Sequence, residues 1–230
     1  MNKNLPDQTL GALASAIPGA TRIFHDFQLD FCCGGGKTLA DAAQQRGLDL
    51  GLLLTALEAL AADPAAGIDW RGVPPEDLIG HIVARFHERH RVQLPELIRL
   101  SRRVEHVHAG RPGCPGGLAD ALEGLQQELE SHMMKEEQVL FPMLARGMNG
   151  QAQGPISVMR FEHEQHGSAL SSIQRLTNNI TPPVNACNTW RALYGGLNAF
   201  KEDLMQHIHL ENNVLFLNAS IAAEGAAHHG

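Results

Sequence analysis

Two copies of one short pattern, a histidine followed four residues later by a glutamate, interrupt apolar helical stripes in this chain. The pairs are His132 with Glu136 and His207 with Glu211. In a helix, residues four apart lie on the same face, one turn from each other. Apolar residues at steps of three and four, Val139 among them, surround both pairs and predict that this face lies in a core. Each pair is therefore predicted to be buried.

A pair of histidines three residues apart lies in each of two other predicted helices. His87 and His90 belong to the apolar stripe of the first, and His163 and His166 to that of the second. Corresponding residues are 76 positions apart in the histidine pairs and 75 in the histidine–glutamate pairs. This internal duplication predicts a bundle with a pseudo-two-fold axis, in which the pairs meet at mid-core.

These inward polar groups favour a metal centre. Buried ionised carboxylates without a positive partner are very costly, and two that converge also repel each other. The predicted stripes carry no Lys or Arg to compensate them. Two cations solve both problems, because carboxylates can bridge them and imidazoles can fill the terminal positions. Imidazole suits iron, zinc and copper, and mixed nitrogen and oxygen sites favour iron or manganese.

Other histidines and acids receive simpler interpretations. A lone core histidine is usually a hydrogen-bonded core residue, and His90 and His166 stay open between ligands and donors that orient carboxylates. Glu128 and Glu162 are interpreted as solvated helix-face residues, with a proton relay as the alternative. The histidines expected at the surface or in loops are His106, His108 and His209.

The chain is predicted to be all-α, with a small helical domain over residues 1–66 and an antiparallel four-helix bundle over residues 75–221. Few segments alternate in the manner of a strand. Thr9, Thr38 and Asp49 are predicted to cap short helices in the first domain. Glycine- and proline-rich stretches separate the long helices, which are expected at roughly 75–108, 118–146, 155–178 and 185–219. Pro155 is placed at the N1 position of the third.

Cys32 and Cys33 are adjacent and are followed by three glycines. Three consecutive glycines favour neither helix nor strand, so the pair is predicted to lie in a loop. Adjacent cysteines bond to each other only through a strained ring. A functional thiol pair that handles iron or senses oxidants therefore competes with a turn of small residues as the interpretation.

Composition excludes several functions. The net charge is −7, from 18 basic and 25 acidic residues, and no basic block stands out, which argues against nucleic acid or an anionic membrane as partner. No apolar run is long enough to span a membrane, and the mildly apolar stretch 10–20 suits an amphipathic helix better than a signal peptide. Four cysteines, two of them adjacent, predict reduced thiols and a cytoplasmic location.

Three motifs closely resemble one known family. They are Asp30-Phe31-Cys32-Cys33-Gly34-Gly35, His132-Met-Met-Lys-Glu136-Glu-Gln and His207-Ile-His-Leu-Glu211-Asn-Asn-Val-Leu-Phe. The family is RIC, for repair of iron centres, which comprises hemerythrin-like di-iron proteins of the YtfE, ScdA, DnrN and NorA types. The resemblance covers nearly the whole chain. Two departures are Leu217, where relatives often have proline, and a third glycine after the cysteines.

The resemblance implies two non-haem irons per chain, with or without an oxo bridge, in a hemerythrin-like bundle. It implies a role in restoring iron–sulfur clusters damaged by nitric oxide or oxidants. Damaged iron–sulfur proteins would be the partners and NO or O₂ the small ligands, with a homodimer as a further option. The implied iron ligands are His87, His132, Glu136, His163, His207 and Glu211.

Three functions are compatible with these features. The first is iron donation to damaged clusters, with Cys32 and Cys33 as acceptor thiols. The second is an enzyme that reduces nitric oxide at the di-iron site, which turnover with an electron donor would distinguish. The third is binding and sensing of O₂ or NO, which reversible binding without loss of iron would distinguish.

Overall fold

The computed structural model describes residues 4–32, 34–62 and 68–227, without the side chains of the last two. Within these ranges the regular elements are helical, and the only β feature is an isolated bridge between Thr9 and Thr38. The all-α prediction is confirmed. None of the described helices combines the length and the apolar character that a membrane crossing needs.

The chain divides into two compact units. One comprises Met1–Leu78 together with Met205–Gly230, and the other comprises Ile79–Leu204. The division falls inside a continuous helical stretch, Asn188–Leu210. The predicted domain bounds, 1–66 and 75–221, stay a prediction.

The first unit contains four short helices with the caps that the sequence predicts. The side chain of Thr9 accepts a hydrogen bond from the amide of Ala12, as the hydroxyl of Thr38 does from Asp41. Each cap satisfies one amide that the first helical turn leaves without a partner. The helices are α1 (Leu10–Ala16), α2 (Ala20–Asp26), α3 (Leu39–Arg46) and α4 (Leu50–Ala61).

Four long helices follow, and three of them contain a π-helical segment. Helix α5 consists of Pro75–Ile82, the π segment Val83–His87 and Glu88–His108. Helix α6 consists of Leu118–Lys135, the π segment Glu136–Leu140 and Phe141–Ala145. Helix α7 is Asn149–Leu176, and α8 consists of Asn188–Leu210, the π segment Glu211–Leu215 and Phe216–Ala227.

The unit Ile79–Leu204 is the predicted antiparallel four-helix bundle. Arg91 pairs with Glu130, and Arg102, later in α5, pairs with Glu123, earlier in α6. The two helices therefore run in opposite directions. The leucine stripes predicted for α6 and α8 are buried between the helices, and their burial is the main source of stability of the unit. The buried stripe residues are Leu118, Leu122, Leu125, Leu129, Leu193, Leu197, Phe200 and Leu204.

The stripe of α6 changes register beyond Glu136. The sequence predicted Val139 in the core, but its side chain is 51% exposed, and Leu140 is buried at 1%. The π segment Glu136–Leu140 adds one residue to this turn and so rotates the following residues around the helix axis. The prediction for Val139 was wrong because it assumed an uninterrupted α-helical period.

Helix α7 begins earlier than predicted. It starts at Asn149, so Pro155 lies inside the helix and not at its N1 position. Gly154 precedes the proline, and with no Cβ it avoids much of the clash that disfavours helix before proline. The lost backbone hydrogen bond falls near the N-terminal end, where the helix tolerates it.

Candidate metal centre

Three of the predicted ligands lie in the three π segments. His87 ends the segment in α5, whereas Glu136 and Glu211 each begin one, in α6 and α8. Such one-turn insertions are frequent at functional sites because the extra residue redirects side chains at that turn. The sequence pattern did not reveal them.

In the bundle unit the carboxylate of Glu136 faces two imidazoles. Its Oε2 atom lies 3.5 Å from Nε2 of His87, and its Oε1 atom lies 3.3 Å from Nε2 of His132. All three side chains are buried. Neither oxygen accepts a hydrogen bond from any residue that the structure describes. An ionised carboxylate in such a place needs a positive charge beside it.

His163 adds a third imidazole to this group. Its Nε2 atom lies 3.1 Å from Nε2 of His132. One ligand-type atom from each of His132, Glu136 and His163 lies within 4.8 Å of the others, which is close enough to share one ion. Imidazole nitrogen with carboxylate oxygen is a donor set that iron accepts.

Two carboxylates outside this group determine which ring nitrogens carry a proton. Nδ1 of His87 lies 2.7 Å from Oε1 of Glu137, and Nδ1 of His132 lies 2.9 Å from Oε2 of Glu162. An ionised carboxylate only accepts, so Nδ1 of each ring donates. In a neutral ring the lone pair is then on Nε2, and on both rings this is the atom that faces Glu136. Histidines that bind metals show this arrangement.

Both outer carboxylates are held in the ionised form. Burial raises the pKa of Glu137, but hydrogen bonds from His87 and Arg91 lower it by a larger amount. The pKa therefore lies below its usual value. Burial likewise raises the pKa of Glu162, and hydrogen bonds from Lys135 and His132 bring it below the usual value. Glu162 was interpreted as solvated, but it is half-buried against His132 because the turn of α7 that carries it packs on α6.

Two further acidic residues near the site are Glu128 and Glu137. Glu128 is exposed, as its interpretation predicts. Glu137 was missed by sequence reasoning. Its position directly after Glu136 could have indicated it, because the residue next to a buried one in a helix is directed toward a neighbouring helix.

In the other unit, His207 and Glu211 are both buried. Nε2 of His207 lies 3.0 Å from Oε1 of Glu211. The pair repeats the spacing and the atoms of His132 and Glu136, which are separated by 3.3 Å. The duplication seen in the sequence therefore extends to the local geometry.

His90 and His166 are buried but differ in surroundings. Nδ1 of His90 lies 3.4 Å from Oε1 of Gln93, and its ring packs edge-on against Phe200. The ring of His166 packs edge-on against His132, with 4.9 Å between centroids. Among the described residues, neither belongs to a group of side chains close enough to share an ion. These positions suit residues that support the ligands.

Comparisons with known proteins agree with this geometry. Residues 78–217 match the family model described as the hemerythrin HHE cation-binding domain, and residues 6–61 match ScdA_N, a domain of unknown function. The iron–sulfur cluster repair protein YtfE of Dickeya chrysanthemi is 55% identical over 213 residues, which cover 93% of this chain and 96% of the relative. Proteins of the same name from Yersinia pseudotuberculosis and Yersinia pestis are 54% identical over equal shares.

This chain belongs to the YtfE family. Its hemerythrin domain is of the type that binds non-haem iron, and its buried histidines and glutamates could hold a metal. The family resemblance stated from the sequence motifs is confirmed.

The cysteine motif of this YtfE-family chain lies in the same unit as His207 and Glu211. Cys32 is buried, and its amide donates to Oδ1 of Asp30 at 3.2 Å. The side-chain amide of Asn212 donates to the carbonyl of Cys32 at 3.4 Å. The loop is therefore bound to the residue directly after Glu211. Cys33 lies outside the described residues.

His209, expected at the surface, is buried in this YtfE-family chain. Its ring packs edge-on against Phe31, and Nδ1 lies 3.1 Å from the side-chain amide of Asn213. Burial lowers the pKa of His209 to about 4, although backbone groups of Phe31 and Ala14 partly counter the effect. The expectation failed because Phe31 and the end of α1 pack on the face of α8 that carries His209. His108 is also buried, and His106 is exposed as expected.

Proposed function

We propose that this protein holds two non-haem irons and repairs iron–sulfur clusters damaged by nitrosative or oxidative stress, by donating iron. Its partners are then damaged iron–sulfur proteins, and NO or O₂ are small ligands of the irons. The cytoplasmic location predicted from the cysteines belongs to the same proposal. The proposed iron ligands are His87, His132, Glu136, His163, His207 and Glu211.

The observation that carries the metal part is the environment of Glu136. Its buried carboxylate has no hydrogen-bond donor among the described residues, and it faces the Nε2 atoms of two imidazoles. Glu137 and Glu162 accept hydrogen bonds from the Nδ1 atoms of these rings, so it is Nε2 of each ring that is directed toward Glu136. A cation between them would neutralise the carboxylate and bind Nε2 of both imidazoles.

The count of two irons rests on the repeated pair. His207 and Glu211 reproduce the arrangement of His132 and Glu136, so the chain offers two equivalent half-sites. Two carboxylates and four imidazoles are a donor set that would suit two iron ions. When bound, the irons would supply redox chemistry and exchangeable coordination positions. The side chains of the protein hold and orient them and exclude bulk water.

The thiol part of the proposal rests on the binding of the cysteine loop to α8. The carbonyl of Cys32 accepts a hydrogen bond from Asn212, one residue beyond Glu211. A thiol pair in this loop could receive or deliver iron, which is soft enough to bind thiolate as well as imidazole. Cys32 and Cys33 are the acceptor residues in this proposal.

Iron analysis tests the metal part. We expect two irons per chain in protein purified from iron-replete cells, and a loss of iron in Glu211→Gln. Glu202→Gln is the matched control, because Glu202 lies on the same helix but is exposed. Protein that holds no iron after purification from iron-replete cells, or equal iron in both variants, would contradict the proposal.

A repair assay tests the function. We expect the iron-loaded protein to reactivate an iron–sulfur dehydratase that nitric oxide has inactivated, with a yield that saturates at the iron supplied. The double variant Cys32→Ala/Cys33→Ala should keep its iron but repair less. Turnover of nitric oxide with an electron donor, beyond the iron present, would instead support reduction of nitric oxide.

A further inference from the structure

A second reactive group lies at the other end of the bundle, about 30 Å along α5 from His87 by helical rise. Cys187 directly precedes Asn188, the first residue of a 23-residue helical stretch. The amide of Arg191 donates to the carbonyl of Cys187 at 3.0 Å, so Cys187 caps the first turn. Its side chain is exposed. Amide dipoles at a helix N-terminus favour negative charge at this position.

His108 is directed at this sulfur from α5. Its Nε2 atom lies 3.3 Å from Sγ of Cys187, and its side chain is only 6% exposed. Nδ1 of His108 is buried and has no hydrogen-bond partner in the described part of the chain. A proton on Nδ1 would therefore be an unsatisfied buried donor, which is unfavourable. The proton belongs on Nε2, which then donates to the sulfur.

Packing fixes the imidazole in this orientation. The ring of Trp190, one helical turn after Cys187, lies against His108 with 4.8 Å between centroids. A donor with a fixed direction stabilises a thiolate much more than a thiol, because an anionic sulfur is a much stronger acceptor. The helix N-terminus and the imidazole of His108 thus both favour negative charge on Sγ of Cys187.

Cys114, in the same unit, provides an internal contrast. It is partly buried, and burial raises the pKa of its thiol, with the nearby charge of Glu105 raising it further. Cys114 is therefore held as the protonated thiol, which is a poor nucleophile. In the bundle unit, Cys114 therefore has the surroundings of an inert thiol, whereas Cys187 has those of a reactive one.

We propose that Cys187 is a site of reversible oxidation by hydroperoxides, and that His108 is the positioning residue that supports its thiolate. In this step the sulfur attacks one oxygen of hydrogen peroxide, a sulfur–oxygen bond forms and the oxygen–oxygen bond breaks. The sulfur loses two electrons to the peroxide, and the leaving hydroxide takes a proton from solvent to give water. The product is a sulfenic acid, which small thiols reduce.

The test uses the full-length, iron-loaded protein with limiting hydrogen peroxide and a dimedone probe that traps sulfenic acid. Peptide mass spectrometry then follows Cys187 and Cys114 in the same molecules. We expect Cys187 to be trapped at least about tenfold faster than Cys114. Equal rates, or faster trapping at Cys114, would overturn the proposal.

Two variants of His108 separate the hydrogen bond from packing. His108→Leu removes the donor and should slow trapping at Cys187 by about tenfold while leaving Cys114 unchanged. His108→Gln keeps an N–H near the position of Nε2 and should retain most of the rate. Equal rates in both variants would overturn the role of His108. If His108→Leu loses helicity, the role of His108 is judged from the trapping rates of the wild type and of His108→Gln alone.

Discussion

Nδ1 of His87 lies 2.7 Å from Oε1 of Glu137, and this hydrogen bond leaves Nε2 as the nitrogen of a buried imidazole that can bind a metal. Glu137 is held in turn by Arg91, whose guanidinium lies 3.0 Å from the same oxygen. The charge of Arg91 keeps the carboxylate ionised, and the carboxylate keeps the ring proton on Nδ1. The protonation and orientation of the His87 ring therefore depend on Arg91, a residue near the surface.

Replacing Glu137 tests this relationship. Glu137→Ala removes the acceptor for Nδ1 of His87, so the tautomer and the orientation of the ring are no longer fixed. We expect iron affinity to fall by roughly 10–100-fold, which is typical when the partner of a metal-binding histidine is lost. Competition with a chelator of known affinity measures the change.

Glu130→Ala is the control for that experiment. Glu130 also bonds Arg91, at 3.1 Å, but it contacts no predicted ligand histidine in the described interactions. Its removal should leave iron affinity within about twofold, because a partly exposed ion pair contributes little. Equal losses in Glu137→Ala and Glu130→Ala would show that Arg91 and not the ring proton controls the site.

The π segment in α6 gives a prediction about stability. Leu140→Ala should destabilise the protein by about 2–5 kcal/mol, because the residue is buried and leaves a cavity. Val139→Ala should change stability by no more than about 0.5 kcal/mol, because its side chain is solvated. Denaturation midpoints of the two variants, measured at equal iron content, check this. An uninterrupted α-helix would reverse the order.

Two glycines should respond to alanine with opposite signs. A Cβ on Gly11 would lie 2.6 Å from Oδ1 of Asn213 and 3.3 Å from the carbonyl of Gly35, so Gly11→Ala displaces the side chain of Asn213, which bonds His209, and crowds the cysteine loop. We expect a loss of about 1–3 kcal/mol. Gly124 lies inside α6 with open space around it, and Gly124→Ala should stabilise by about 0.5–1 kcal/mol. Thermal unfolding of both variants gives the signs, and destabilisation by Gly124→Ala would contradict them.

Much of the fold was predictable because local signals and the apolar period agree. Thr9, Thr38 and Asp49 cap the helices that the sequence assigned to them. The leucines of α6 before His132 are buried on one face, as a regular helix requires. The burial of Glu136 and Glu211 followed from the same period. Local chemistry and periodicity therefore sufficed for the helices and for the positions of the ligand-type residues on them.

Most of the failures have a different cause, which is contact between segments far apart in sequence. His209 is buried against Phe31, and His108 lies between Cys187 and Trp190, so neither position could be predicted from its own helix. Val139 is exposed because a π turn interrupts the period, and the sequence has no known signal for that turn. Glu162 follows a surface pattern but bonds a buried histidine of another helix.

Glu136 should have opposite effects on stability with and without metal. In the metal-free chain its carboxylate is a buried charge without a hydrogen-bond donor among the described residues. Glu136→Gln removes that charge, and its amide can donate to Nε2 of a neutral His87. We expect the metal-free variant to be more stable than the metal-free wild type by about 1–3 kcal/mol, the scale on which an unsatisfied buried polar group destabilises a protein.

With iron the order should reverse. The wild type gains stability from any ligand that binds only the folded state, by about 2.7 kcal/mol when free iron is 100 times its dissociation constant. The variant, which lacks an anionic ligand, should gain much less. Unfolding midpoints of both proteins, each with iron and after exhaustive chelation, give the four values required. If Glu136→Gln weakened the chelated protein as much as the loaded one, the glutamate would be structural, and the metal would not be the reason for its burial.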